Sequence, residues 1–441
     1  MTPIVRSFWI SITSATVISI LLGLLFWPSV YEPYFEGNDY VALAHLNYSK
    51  VYSYYGGRIV HPLVVRMVSR ATHDPISAKT FRAVSFASLL SLFILLGWFY
   101  GTRLRGLTWL FPVLAATALV VDQYRNYYWQ DLFDAVICAA FLFVMARNKW
   151  VSLPLLFLLY LTKESAIVLV FVIVIVAVMK GQRTYGAATA LVGVAALVVS
   201  GLLVAQAVPN KHGIPVIVVD VLKVPYNFCF NVLGIEFWTN TNADTIMATP
   251  TWIVNLPAWL HFGNIRQFGY CGFDWRRPAH LLILLGSAFG ALPTLLLRRD
   301  LFTRIWKSDL IIPVAAYYGL LMLLLTPLVG TDPQRYVLYA WPVCWLFGIA
   351  MLSERMPSKL VYTFAAVSLV AAWTPALIRL FTAGPLVGAA SVSSTDSARA
   401  IIVCLLLVVG EQVLAFKILN GTTARSAATA ETVHPYATGR N

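Results

Sequence analysis

Apolar residues in this chain come in runs, and the runs are long enough to cross a lipid bilayer. Stretches of roughly 15–22 apolar residues bounded by charge read as membrane spans. They cover residues 8–27, 84–101, 107–121, 132–147, 150–162, 165–179, 185–207, 280–297, 309–329, 336–352, 360–381 and 400–417. The pattern predicts an all-α, polytopic transmembrane helix bundle of about twelve spans. The fifth run is too short to cross upright. Fusing it with the sixth would make one helix of about 46 Å at 1.5 Å per residue, far beyond a hydrocarbon core of about 30 Å. A hairpin turning at Thr162-Lys163-Glu164-Ser165 is therefore expected.

The loops between the runs alternate in character. One set is short and basic, with Arg103 and Arg105, Arg147 and Lys149, Lys180 and Arg183, Arg298, Arg299, Arg304 and Lys307, then Arg355 and Lys359. The other set mixes acids, bases and aromatics and holds 14 of the 19 acidic residues. Half of the 32 basic residues lie on the face of the first set. That is the positive-inside bias, so this face is read as cytoplasmic, and an even span count places both termini there. Composition agrees with a multi-pass protein of the cell (inner) membrane. The chain is 59% hydrophobic and 12% charged, where a soluble domain carries about 25% charged residues. The net charge of +13 does not point to nucleic acid, because the basic residues are dispersed among apolar spans.

The first run follows a single Arg6, and Trp27-Pro28-Ser29-Val30-Tyr31 offers no small-x-small cleavage site. It reads as a retained anchor. Cys138, Cys344 and Cys404 fall inside spans, whereas Cys229 and Cys271 share an outer loop. Whether those two form a disulfide stays open. Two outer loops are long, 28–82 and 208–278. In the first, residues 61–70 predict an interfacial amphipathic helix with Arg66 and Arg70 on one face, and Tyr40 to Tyr55 predicts a second. The second loop, rich in aromatics and poor in charge, is expected to pack against the membrane surface. Residues 1–419 read as a single domain, and the Ala/Thr/Ser-rich tail 420–441 as a disordered cytoplasmic segment.

Candidate chemistry gathers in the outer loops, where charges near membrane depth are costly and usually functional. Glu36-Gly37-Asn38-Asp39 puts two carboxylates just outside the first span, where a general base is well placed. The structural alternative is a capping Asp39. Gly56-Gly57-Arg58 allows close backbone approach to a ligand, and Arg58 and His61 are donors suited to phosphate oxygens. The alternative is a turn before an interfacial helix. Asp122, Tyr124 and Arg125 precede Asp131 and Asp134, which share a helix face. An aromatic belt accounts for Tyr127, Tyr128 and Trp129 but leaves Asp134 without a reason. Lys163-Glu164 is an outer lysine against the charge bias, or a snorkelling pair. Asp332-Pro333-Gln334-Arg335 combines a cap with a cation at a span entrance. Walker, dinucleotide-glycine, HExxH and CxxC patterns are missing, which argues against nucleotide-driven chemistry.

These landmarks, in this order, resemble the GT-C superfamily of integral-membrane glycosyltransferases, which take a sugar from a polyprenyl-phosphate carrier at the non-cytoplasmic face. The layout carries the likeness: Asp39 after the first span, Arg58-x-x-x-Pro62 in the same loop, Asp122, Asp131 and Asp134 in the next, the Lys163-Glu164 turn, and a late Asp332-x-x-Arg335. It covers most of residues 30–345. The resemblance implies a GT-C-like bundle and transfer, with inversion, from a polyprenyl-phosphate-linked sugar donor to a glycan, lipid or protein acceptor. It implies Asp39 or Glu36 as catalytic base and Arg58, His61, Lys163 and Arg335 around the donor phosphate. Asp122, Tyr124, Arg125, Asp131, Asp134, Glu164 and Asp332 would contact substrate. Many members show paired acids in the first loop, whereas Glu36 and Asp39 are separated here. That leaves open which is the base and whether a divalent metal, Mg or Mn, takes part. No other cofactor is implied, and membrane lipid is the surrounding partner. The competing class is a transporter or flippase of lipid-linked sugars, which would need a site near mid-membrane open to both sides.

Overall fold

The computed structural model describes residues 3–33, 36–103, 110–209, 224–225, 227–237, 271–273, 275–292, 294, 305–329, 333–342, 358–383 and 398–432. Helices dominate. They are α1 (Pro3–Leu25), α2 (Glu36–Ala44), α3 (Val60–Thr72), α4 (Ala78–Arg103), α5 (Leu110–Ala115), α6 (Ala118–Arg125), α7 (Asp131–Arg147), α8 (Leu153–Thr162), α9 (Ala166–Met179) and α10 (Arg183–Val204). A two-stranded antiparallel ribbon, β1 (Ile235–Phe237) with β2 (Cys271–Phe273), follows. Then come α11 (Arg276–Phe289), α12 (Ile311–Val329), α13 (333–342), α14 (Ser358–Ala383) and α15 (Ala398–Thr432).

Among the described residues, five helices carry stretches long and apolar enough to cross a membrane: Phe8–Leu25, Ala78–Phe99, Arg183–Val204, Ile311–Leu328 and Ala398–Ile418. Shorter apolar helices lie at Leu153–Thr162, Ala166–Met179 and Tyr362–Ile378. The expected count of about twelve goes beyond these. Their outward faces are apolar: Leu191, Leu202 and Leu406 are among many exposed aliphatic side chains. Such a surface suits lipid rather than water.

Several expectations need correction. The apolar run 107–121 is broken: α5 ends at Ala115 and α6 begins at Ala118, with Thr117 in extended backbone between them. Ala116 and Thr117 donate no ladder bond of α-helical type, since their N–H groups reach Val113 and Ala115 instead. The run 280–297 stops as a helix at Gly290, whose φ of 55° closes α11. The last helix, α15, runs to Thr432, and residues 433–441 of the tail lie outside the described residues. Its alanines and its Arg425 are good helix formers, and α15 continues past Gly421. Tyr40 to Tyr55 is not one helix: α2 stops at Ala44, and a 3-10 turn occupies Tyr48–Lys50. Cys229 is a free thiol. Most of the 208–278 loop lies outside the described residues.

The polar connections sort to two ends. At one end Lys149 Nζ donates to Gln182 Oε1 at 2.7 Å, and Lys180 Nζ donates to the carbonyls of Trp306 and Ser308 at 2.7 and 2.5 Å. Three basic connections are thereby tied together. At the other end Val51 and Ser53 pair with Val208 beyond α10, and Asn227 and Asn231 donate to the carbonyls of Leu328 and Pro327 at the end of α12. The turn expected at 163–165 joins α8 to α9 at this second end.

Helix length then sets depth. At 1.5 Å per residue α8 and α9 are about 15 and 21 Å long, against about 33 Å for α10. α8 and α10 start level, since Ser152 Oγ lies 3.4 Å from Tyr185 Oη. The Lys163-Glu164 turn is therefore sunk below the end of α10.

Candidate active site

Five stretches meet over that recessed turn. α2 supplies Glu36, Asp39 and Tyr40, and the loop after it supplies Arg58. The first turn of α7 supplies Asp131, the α8–α9 turn supplies Lys163 and Glu164, and α13 supplies Arg335 and Tyr339. Arg58 is 2% exposed, Lys163 3% and Arg335 6%. Charges so deeply buried persist only when paired.

The pairing is specific. Arg58 grips Glu164 with two parallel donors, Nε to Oε2 at 2.9 Å and Nη2 to Oε1 at 2.5 Å. Arg335 grips Asp131 in the same forked manner, Nε to Oδ2 at 2.8 Å and Nη2 to Oδ1 at 3.2 Å. Its remaining Nη1 donates to Glu36 Oε1 at 2.5 Å, while Glu36 Oε2 lies 3.8 Å from Arg58 Nη1. Glu36 thus bridges the two arginines. Tyr40 Oη accepts from Arg58 Nη1 at 3.1 Å and donates to Glu36 Oε2 at 3.3 Å. Tyr339 Oη donates to Asp131. Aromatic faces complete the walls: Arg58 lies 5.0 and 4.9 Å from the Tyr54 and Tyr55 rings, and Arg335 4.8 Å from Trp129.

Lys163 differs from the arginines. Its ammonium lies 3.3 Å from Glu164 Oε1 and 5.7 Å from the centre of the Tyr339 ring. An ammonium has three donors, and one carboxylate contact leaves it the best placed of the three cations to take an added anion. The cations of the cluster are matched by acids rather than left in surplus. Three cations, Arg58, Lys163 and Arg335, face three carboxylates, Glu36, Asp131 and Glu164.

The two first-loop acids are now distinguishable. Burial alone would raise Glu36, but Arg335 and Arg58 outweigh it and bring its pKa down to about 2. Burial lifts Asp39 to about 6 despite the hydrogen bond from the Tyr52 N–H to its Oδ1, at 2.8 Å. The negative charge of Glu36 adds to the rise. Asp39 therefore does not cap α2. It sits in the first turn of that helix, buried, and holds the following loop by a backbone amide. Burial and the charge of Arg58 bring Lys163 down to about 8. Glu164 is held well below the usual carboxylate range, because Arg58 and Lys163 outweigh its burial.

Some expected participants stand apart. His61 is enclosed by Phe133, Phe81 and Tyr40, at ring separations of 5.5, 5.8 and 6.4 Å. Burial lowers its pKa to about 4, so it is neutral at pH 7 and brings no positive charge to a phosphate. Its Nδ1 has no hydrogen-bond partner among the described residues. Tyr124 belongs to the packing of the bundle: its Oη donates to the Gly23 carbonyl of α1 at 3.1 Å, and its own carbonyl accepts from Ser85 of α4. Asp122 and Arg125 flank it on α6, which meets α4, α7, α11 and α14. Asp134 is buried one turn into α7, with Oδ1 unpartnered among the described residues. Asp332 lies outside the described residues. Gly56 and Gly57 serve protein packing rather than a ligand: a Cβ on Gly57 would stand 2.2 Å from Ser200 Oγ, and one on Gly56 3.2 Å from Val204 Cα. They let the Arg58 loop lie against α10.

Tyr339 and Tyr40 are participants that sequence reasoning passed over. Each lies four residues after a cluster member, Arg335 and Glu36, so helical spacing was the available signal. Among the described residues no group of three or more His, Cys, Asp or Glu side chains is arranged to hold a metal ion.

Fold and site together define a helical bundle with membrane-length apolar helices and a buried, fully cross-linked ion cluster at one end. No protein-family model, curated protein or solved structure matches the chain.

Proposed function

We propose that this protein is an integral-membrane glycosyltransferase that moves a sugar from a polyprenyl-phosphate carrier to an acceptor hydroxyl at the non-cytoplasmic face. One observation carries the reading most: residues from five separate stretches converge so that a carboxyl with a pKa of about 6 neighbours a set of buried cations. Sugar transfer needs both. A base takes the acceptor proton, and cations stabilise the leaving phosphate.

Asp39 is the base in this reading. The acceptor oxygen attacks the anomeric carbon, the bond from that carbon to the phosphate oxygen breaks, and polyprenyl phosphate leaves with the electron pair. The acceptor proton passes to Asp39. A single displacement inverts the anomeric centre. Glu36, at about 2, is too weak a base and serves to position Arg58 and Arg335. Lys163 is the cation with donors to spare for the phosphate, and Tyr54, Tyr55 and Trp129 offer faces on which a sugar can stack. The cluster lies at one end of the bundle, which favours an enzyme over a transporter that must open to both sides.

The test is reconstitution with a polyprenyl-phosphate-linked sugar, read as release of free polyprenyl phosphate, together with mass spectrometry of co-purified lipid. Release that depends on Asp39 supports the reading. Absence of both release and any co-purified polyprenyl lipid would overturn it.

A further inference from the structure

The end of the bundle opposite the ion cluster has a site of its own. A cavity of about 360 Å³ opens where the α7–α8 connection, the α9–α10 connection and the start of α12 meet. That volume is within the range of roughly 300–1,000 Å³ usual for small-molecule sites. Its polar lining is Arg147, Asn148, Lys149, Gln182 and Asp309. Two cations against one carboxylate leave a surplus of one positive charge.

The walls are held in place. Lys149 donates to Gln182 at 2.7 Å, and Lys180 ties the neighbouring connection to the carbonyls of Trp306 and Ser308. The Arg147 guanidinium is steadied by the Phe143 and Trp98 rings, at 4.4 and 5.1 Å. It has no carboxylate partner in any ion pair among the described residues. The first residues of α12 close the far wall, and a helix N-terminus adds positive potential there.

We propose that this cavity binds the phosphodiester headgroup of an anionic phospholipid. The chemistry it reads is a singly charged phosphate ester. The lipid source is favoured by what surrounds the rim. Trp150 lines the cavity and is 47% exposed, and the adjacent Val151 is 58% exposed. Met179, at the end of α9, is also exposed. Acyl chains have an apolar surface to follow directly from the headgroup. Basic pockets between helices at the cytoplasmic level of a membrane protein suit such headgroups. The site is independent of the proposed sugar transfer and stands if that reading fails.

The experiment uses the full chain in lipid nanodiscs of phosphatidylcholine with a minor share of phosphatidylglycerol, and native mass spectrometry to count retained lipid. Wild-type protein should retain phosphatidylglycerol selectively. The Arg147→Gln, Lys149→Gln double variant should retain about 25-fold less, since each basic side chain near an anionic headgroup contributes about fivefold. Equal retention by wild type and variant, or equal retention of phosphatidylcholine, overturns the proposal. Glycerol phosphate in solution supplies the other arm: if it displaces the lipid from the site at comparable concentration, the site reads a free phosphate ester and the lipid assignment falls. Should the double variant not fold, Asp309→Asn carries the test. Removing that like charge should raise phosphatidylglycerol retention, and unchanged or lower retention overturns the site.

Discussion

Asp39 and Lys163 set the chemistry expected at single-residue scale. Asp39→Asn keeps an oxygen that accepts the Tyr52 amide and removes basicity. The variant should fold, and transfer should slow by at least about 100-fold, the scale of a lost general base. Sugar-transfer assays of Asp39→Asn beside Glu36→Gln test this. Near-normal transfer by the first, with loss in the second, would move the base to Glu36. The pH profile follows from the same two groups. A base must be deprotonated to act, so kcat/KM should fall as pH drops through about 6, the pKa of Asp39. Lys163 must be protonated to hold phosphate, so activity should also fall as pH rises through about 8. Lys163→Arg keeps its charge throughout this range, and should abolish the alkaline limb while leaving the acid limb in place. An unchanged alkaline limb would remove Lys163 from the donor site.

At the scale of elements, a few contacts decide how helices end and meet. Gly290 closes α11 at φ 55°, and a Cβ there would lie 2.3 Å from the Ser368 carbonyl oxygen of α14. Its own carbonyl accepts from Gln412 of α15 at 2.6 Å, and Ser368 Oγ accepts from the Ala291 amide. Three helices therefore meet at one residue with no room for a side chain. Gly290→Ala combines positive-φ strain with overpacking, each of order 1–3 kcal/mol. Thermal unfolding in detergent should show a large loss of stability, and Gly410→Ala, on the open face of α15, should show little. The ion cluster obeys the same logic across elements. Arg335→Ala leaves Asp131 buried without its guanidinium and Glu36 with Arg58 alone, a loss of about 3–5 kcal/mol for a broken buried pair. The double variant Arg335→Met, Asp131→Leu should recover much of that stability, though not activity. A double variant less stable than Arg335→Ala would contradict this account of the cluster.

The whole molecule separates two polar ends by membrane-length apolar helices. Ser49, in the loop between α2 and Arg58, and Asn148, at the basic cavity, are both exposed. Cysteines introduced at these positions should react with membrane-impermeant reagents from opposite sides of sealed vesicles. Labelling of both from one side would refute the two-ended arrangement. Stability in such a molecule comes from packing and polar contacts between helices rather than from an aqueous hydrophobic core. Bonds such as Ser11 Oγ to the Gly97 carbonyl, at 2.8 Å between α1 and α4, are examples.

Length, hydropathy and charge are local properties, so the sequence by itself determined the helical class, the membrane-length runs and the separation of basic from mixed loops. It also marked Glu36, Asp39, Arg58, Asp131, Lys163, Glu164 and Arg335, because charge beside an apolar run is costly wherever the chain goes. Partnership is not local. Arg335 meets Asp131 across 204 positions and Glu36 across 299, and no spacing rule reaches that far. Only tertiary structure decided that Glu36 is spent on two arginines while Asp39 keeps a titratable carboxyl, since desolvation and neighbouring charge set each pKa. The same contacts made His61 a neutral packed ring, gave Gly57 to α10 rather than to a ligand, and sank the Lys163 turn below the end of its longer neighbour.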